Sequence, residues 1–213
     1  MKQIGILYKP EMALAIVQRR KTLTSRLRGL DKVNERPDDY YFTRMQDGYK
    51  DGTRAIFGFD DEPNGFSIRC PFGTTGDVLI GRETWLRTSK GTLYKAGLDS
   101  VEAAGLVGMY GGWKSGMIMP WDRARIRTPI VKVWPSRLQD MTEEMAIQEG
   151  VAAGEWITIK GAMGPFECEM SKSADTALEA YAALWDSING KKHPWDSNPW
   201  VWRIQFEPYK ASV

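Results

Sequence analysis

Short apolar segments broken by glycine and proline are the feature that most constrains how this chain can fold. Alternation of apolar and polar residues predicts strands at 21–27, 78–82, 130–134 and 200–206. Helical periodicity is clear in fewer places, at 10–19, 138–150 and 173–188. The strands do not alternate with helices in the regular order of a doubly wound sheet. The pattern favours an α+β fold, a small mixed β-barrel with two or three packed helices.

The 213 residues suit a single domain that carries insertions. Residues 31–64 are polar and rich in turn-forming types, and residues 88–120 are rich in glycine and small side chains. We interpret both as insertions into a domain that spans 1–213. The apolar run at the N-terminus is too short for a signal peptide or a membrane span. We therefore expect a cytoplasmic protein with no membrane partner, in which Cys70 and Cys168 are free thiols.

Charge and motif content exclude several functional classes. A formal net charge of +2 excludes a strongly basic nucleic-acid coat, so any nucleic-acid contact is a local patch. No Gly-x-Gly-x-x-Gly or Walker loop is present, which argues against a nucleotide-cofactor domain. One His and two Cys give no recognisable metal spacing, so we expect neither a metal nor a cofactor. The single His193 lies in Lys-Lys-His-Pro without a nucleophile elbow, which argues against a serine triad.

Residues 20–26, Arg-Lys-Thr-Leu-Thr-Ser-Arg, concentrate three cations and three hydroxyls. In a strand, Thr22, Thr24 and Arg26 share one face, and Lys21 lies where the preceding helix ends. Such a corner suits a phosphate, a polar base or an activated nucleophile. A solvated strand edge explains the same residues, because lysine and arginine are mostly exposed and edge strands often carry them.

Nine tryptophans exceed what a core of this size needs. Trp185 falls on the apolar stripe of the predicted late helix, so we expect it to be buried. Trp85 follows Arg82 and Glu83 at a strand end, and we expect it to form an aromatic wall near the site. Exposed tryptophans would also suit a protein partner.

Four segments, in this order, resemble the ASCH domain, a PUA-like β-barrel family common in phages and bacteria. They are residues 19–26, 70–85, 138–150, and 185–190 with 198–202. The last two segments and residues 113–120 are most similar to a long phage and prophage branch, and the similarity spans nearly the whole chain. The family's first motif begins Gly-Arg-Lys-Thr, whereas Arg19 holds the glycine position here. For a phage-encoded protein the expected compartment is the host cytoplasm.

The resemblance implies a cleft that binds RNA or a modified nucleoside. Some small ASCH proteins are amidohydrolases that deacetylate acetylcytidine, and their working Lys, Thr and Glu match Lys21, Thr24 and Glu149. Other relatives are ribonucleases or plain RNA-binding modules, so the fold does not decide the chemistry.

Three functions remain open at this point. A binding module would hold RNA, a short single strand or a modified nucleoside, with Arg26, Arg82 and Arg125 on phosphates and a tryptophan stacked on a base. A hydrolase would cleave a modified pyrimidine nucleoside or RNA. A phage factor would instead bind a host protein.

The site prediction is that Lys21, Thr24, Arg26 and Glu149 converge in one pocket. Arg82 and Glu83 are expected at its rim, with Thr22, Trp85 and Arg125 as further ligand contacts. The alternative is that Glu149 is a helix-end carboxylate paired with a structural Lys21.

Overall fold

One five-stranded sheet organises the fold. The computed structural model describes residues 1–49, 52–60, 62–163 and 166–210. Within these ranges the strands are β1 (Gln3–Leu7), β2 (Leu23–Arg26), β3 (Tyr40–Tyr49), β4 (Gly52–Phe59), β5 (Glu62–Arg69), β6 (Val78–Arg82), β7 (Trp85–Thr88), β8 (Gly91–Tyr94), β9 (Ile126–Arg137), β10 (Trp156–Met163), β11 (Phe166–Ser173) and β12 (Trp200–Phe206). The α-helices are α1 (Pro10–Val17), α2 (Asp31–Asn34), α3 (Ser100–Tyr110), α4 (Glu143–Gln148) and α5 (Ala177–Asn189).

The strand order in the main sheet is β1-β6-β9-β12-β2. β1 pairs with β6 in parallel, and the other neighbours are antiparallel. All four segments predicted as strands of a barrel contribute to this one sheet. The first of them is shorter than expected, because only Leu23–Arg26 pairs with β12.

The sheet curls until its two edge strands approach each other. Arg26 of β2 donates from Nη2 to the carbonyl of Leu7 in β1, over 2.8 Å. Three strands separate these edges, and in a flat sheet at about 4.8 Å per strand no arginine could span them. β1 and β2 do not pair through their backbones, so the described residues form a mixed α+β fold in which no closed barrel is found.

The predicted insertions carry structure of their own. The first, 31–64, contains α2 and most of the three-stranded sheet β3-β4-β5, apart from residues 50, 51 and 61, which lie outside the described ranges. Phe57 of β4 packs edge-on against Trp200 of β12, which joins this small sheet to the main core. The second, 88–120, holds β8 and α3, and the Asp99 side chain caps α3.

Two threonines begin the helices that cover the site. α4 begins at Glu143, later than the predicted start at 138, and the Thr142 hydroxyl caps it by accepting from the Met145 amide. Thr176 caps α5 in the same way, through the Glu179 amide. The predicted helix at 173–188 begins later than expected because the chain is still in β11 up to Ser173. Trp185 of α5 is 4% exposed, so its predicted burial is confirmed.

Cys70 is a free, buried thiol. Burial is the main cause that raises the pKa of this thiol, to about 12. A protonated thiol is a poor nucleophile, so Cys70 contributes packing to the main core rather than reactivity. The side chain of Cys168 lies outside the described part of the structure.

Candidate active site

A tight turn after α1 delivers Lys21 to the protein interior. Arg19 adopts φ 63°, in the left-handed region that favours glycine, and this is the position where the ASCH motif has glycine. The amides of Arg20 and Lys21 both donate to the carbonyl of Ala15. The turn therefore folds back on α1 and leaves the Lys21 side chain buried.

The end of α4 packs directly against this turn. Gly150 has φ 94°, and a Cβ there would lie 3.0 Å from the Cβ atoms of Ala15 and Lys21. The Thr22 amide also donates to the Gln148 carbonyl, over 2.8 Å. Glycine at 150 thus permits a close approach that places Glu149 beside Lys21.

Lys21 and Glu149 form a buried ion pair. Lys21 Nζ contacts Glu149 Oε2, and it also donates to the Glu149 backbone carbonyl over 2.7 Å. The two side chains are 2% and 5% exposed. Desolvation lowers the pKa of Lys21 below its ordinary value, and the Glu149 charge only partly offsets this.

The second carboxylate oxygen of Glu149 accepts from two hydroxyls. Ser25 Oγ donates to Oε1 over 2.5 Å, and the Tyr181 hydroxyl approaches the same oxygen at 3.3 Å. Ser25 Oγ in turn accepts from Arg203 Nη1 over 2.6 Å. Both carboxylate oxygens are therefore held, one by an ammonium and one by hydroxyls.

Arg203 is a buried cation behind this network. It is 0% exposed, and its guanidinium also donates to Ser136 Oγ and to the carbonyl of Leu138. Among the described residues no carboxylate lies within ion-pair distance of it. Arginine remains protonated, so its buried charge needs compensation. Glu149 compensates two cations, Lys21 by direct contact and Arg203 through the Ser25 hydroxyl.

These residues open onto a cavity of about 400 Å³ between the two edges of the main sheet. Its walls come from β1 and the residues after it, from β2, and from α5. The polar and charged lining side chains are Tyr8, Lys9, Lys21, Thr24, Ser25, Arg26, Arg28, Glu149, Tyr181 and Asn189. Apolar lining side chains include Met12, Leu27, Phe72, Leu184, Trp185 and Ile188. The size and the mixed lining are those of a small-molecule site.

Four residues of the sequence prediction line this cavity together, namely Lys21, Thr24, Arg26 and Glu149. Thr22 does not line the cavity, and its backbone amide donates a hydrogen bond to the Gln148 carbonyl at the end of α4. Ser25, Tyr181, Arg203 and Tyr8 were missed. Strand alternation does place Ser25 on the face opposite to Thr24, but nothing local pairs it with Arg203.

The other predicted ligand residues do not line the cavity. Glu83 is 0% exposed and forms two hydrogen bonds with Arg125, at 2.9 and 3.0 Å, so it is not at a rim. Arg82 donates to the Met117 carbonyl and does not line the cavity. Arg82 ends β6 and pairs with Leu7 of β1, but its side chain is not among those that line the cavity. Glu83 follows where the chain leaves the main sheet for the β7–β8 hairpin.

Trp85 is likewise not a wall of the cavity. It is 4% exposed and packs with Ile80, Met119 and Ala124. The cations of Lys114 and Arg123 lie 5.3 and 5.8 Å from its ring centroid. It belongs to a small core cluster that is separate from the main core.

Within the described ranges, no group of three or more His, Cys, Asp and Glu side chains could hold a metal ion. No helix in that part of the chain combines the length and the apolar character needed to cross a bilayer. Comparisons with models of protein families, with curated proteins and with solved structures return no match for this chain. The resemblance to the ASCH domain therefore rests on the sequence motifs alone.

Proposed function

We propose that this protein is an amidohydrolase that removes an acyl group from a modified pyrimidine nucleoside of the acetylcytidine type. The observation that carries the proposal is the buried Lys21–Glu149 pair in a cavity that Thr24 also lines. Two distant sequence segments supply these groups: one provides the base Lys21 and the hydroxyl of Thr24, and the other provides the carboxylate of Glu149, which together form the set that acyl transfer needs.

The hydrogen bonds of Lys21 suit a general base. Its Nζ contacts two acceptors, both on Glu149. A neutral amine has two N–H groups and one lone pair, so these contacts leave the lone pair able to accept a proton. Lys21 is an ammonium in the ion pair with Glu149, and desolvation lowers its pKa, so the neutral form that a base needs is more accessible than in an exposed lysine.

Thr24 is the nucleophile in this proposal. Ser25 is less suited, because its proton is donated to Glu149 and its oxygen accepts from Arg203. The Thr24 oxygen forms a bond to the acyl carbon while its proton passes to Lys21 Nζ. The C–N bond then breaks, Lys21 returns the proton to the leaving amine, and the free nucleoside departs. Water attacks the resulting threonine ester by the same route and releases the carboxylic acid.

The test is turnover of N4-acetylcytidine, followed by chromatography of the cytidine formed. Lys21→Met, Thr24→Val and Glu149→Gln should each lose at least about a hundredfold in rate, the size of a typical acid–base contribution. Lys172→Met is the matched control, since it breaks an ion pair with Glu179 away from the cavity and should keep full activity. Wild-type protein without turnover would overturn the proposal.

A second candidate is a non-catalytic module that binds RNA or a modified nucleoside in the same cavity. The observation that favours it is the net positive charge of the cavity lining. Four cationic side chains, those of Lys9, Lys21, Arg26 and Arg28, line the cavity together with one carboxylate, that of Glu149. Such a module would bind a short RNA without turning over acetylcytidine. Its affinity would fall with rising salt because phosphate contacts release counterions.

A further inference from the structure

Two polar atoms at the cavity lack hydrogen-bond partners among the described residues. They are the hydroxyl of Tyr8 and Nε of Arg26, and both atoms are buried. Tyr8 is only 6% exposed as a residue, yet it lines the cavity, as Arg26 does. A buried donor without an acceptor is costly, so a pair of them facing one cavity indicates a ligand that supplies acceptors.

The two donors are adjacent and held in place. The Arg26 guanidinium carbon lies 5.3 Å from the centre of the Tyr8 ring. Nη2 of Arg26 is fixed on the Leu7 carbonyl, which orients the remaining N–H groups. Burial raises the pKa of Tyr8, against the opposing charge of Arg26 and the approach of its guanidinium to the phenol oxygen. The hydroxyl therefore keeps its proton at neutral pH, and that proton has no acceptor among the described residues.

The charge around these donors is positive. Lys9 directly follows Tyr8, Arg28 lies two residues after Arg26, and both line the same cavity. Glu149 is the single carboxylate among the lining residues, and it is already shared between Lys21 and Ser25. An anionic group would therefore be favoured beside Arg26, and a phosphate offers acceptors to several donors at once.

We propose that Tyr8 and Arg26 form a phosphate subsite of this cavity, supported by Lys9 and Arg28. The preferred ligand is then a phosphorylated nucleoside rather than the free nucleoside. This rests on the proposed function, which places a pyrimidine nucleoside in the cavity. The phosphate comes from a free nucleotide or from an RNA strand, and the two sources present the same chemistry to the subsite.

Isothermal titration at low salt tests the subsite with four probes. These are cytidine, cytidine 5′-monophosphate, inorganic phosphate and the trinucleotide CpCpC without a terminal phosphate. The nucleotide should bind the wild-type protein at least about tenfold more tightly than cytidine, as expected of a charge-assisted contact. Tighter binding of CpCpC than of the monophosphate would assign the subsite to an RNA strand, and the reverse order would assign it to a free nucleotide.

Both Arg26→Gln and Tyr8→Phe should reduce the ratio of the affinity for the monophosphate to the affinity for cytidine. In Arg26→Gln this ratio should fall to about one, while the affinity for cytidine itself stays unchanged. Tyr8→Phe removes only the hydroxyl, so it tests the subsite even if Arg26→Gln disturbs the fold through loss of the Arg26–Leu7 hydrogen bond. Arg127→Gln is the matched control, because this exposed arginine also donates to a backbone carbonyl but lies outside the cavity.

The outcomes separate the two proposals. Equal affinity for cytidine and its monophosphate in the wild-type protein would overturn the phosphate subsite and leave the proposed hydrolysis standing. Binding of the monophosphate or of inorganic phosphate that depends on Arg26 and Tyr8, without any acetylcytidine turnover, would support the subsite and overturn the hydrolase. Absence of binding by every probe would overturn the subsite.

Discussion

Glu149→Gln should destabilise the protein strongly at pH 7 and much less at higher pH. The substitution keeps the shape of the side chain but leaves the Lys21 ammonium without an anion, at 2% exposure. Removal of one partner from a buried ion pair typically costs about 3–5 kcal/mol. The cost has a ceiling, because the variant can also fold with Lys21 neutral.

The ceiling follows from the ordinary lysine pKa of 10.5. pH 7 lies about 3.5 units below this pKa, and deprotonation of lysine costs about 1.4 kcal/mol for each unit. The greatest cost of neutralising Lys21 at pH 7 is therefore about 5 kcal/mol. At pH 9 the same reasoning gives about 2 kcal/mol. The sign is that of a group with a lowered folded pKa. In the wild type the Glu149 charge raises the Lys21 pKa against desolvation, so its loss lowers that pKa further in the variant. The stability of the variant therefore rises with pH more steeply than that of the wild type, up to the unfolded pKa of 10.5.

Urea unfolding at pH 7, 8 and 9, followed by tryptophan fluorescence, measures the difference from wild type at each pH. Glu83→Gln is the matched control, since it leaves Arg125, which cannot release its proton, and its cost should stay flat over this range. A Glu149→Gln cost that is the same at pH 7 and pH 9 would refute the argument that Lys21 is a desolvated, dischargeable cation.

Three further substitutions test the packing around the site. Trp185→Ala should lower the free energy of unfolding by about 3–5 kcal/mol in urea titrations, as a large-to-small change at a buried site. Arg19→Gly should raise it by up to about 1 kcal/mol, because φ is 63° there, and a lowered thermal midpoint would contradict this. Ser25→Ala should cost about 1–3 kcal/mol, since it deprives both Glu149 and the buried Arg203 of a partner. An unchanged thermal midpoint for Ser25→Ala would show that this link contributes nothing to stability.

The sequence by itself determined the parts of this protein that depend on local patterns. Alternation of apolar and polar residues predicted four strands of the main sheet, and helical periodicity over 138–150 predicted the segment in which α4 forms and which carries Glu149. The motif order then singled out Lys21, Thr24 and Glu149, and these three line one cavity. Such features are visible locally because side-chain period and capping chemistry act within a few residues.

Tertiary structure alone decided which residues complete the site. Ser25 and Arg203 are 178 positions apart, and they meet because β2 pairs with β12 in a register that puts them directly opposite. Tyr8 reaches the cavity because the curled sheet brings β1 close to β2. The long-range geometry also explains why Arg82 and Trp85, which were predicted as ligand contacts, do not line the cavity. Local periodicity specifies which face a side chain occupies, whereas strand order and register, set by contacts across the whole chain, specify its neighbours.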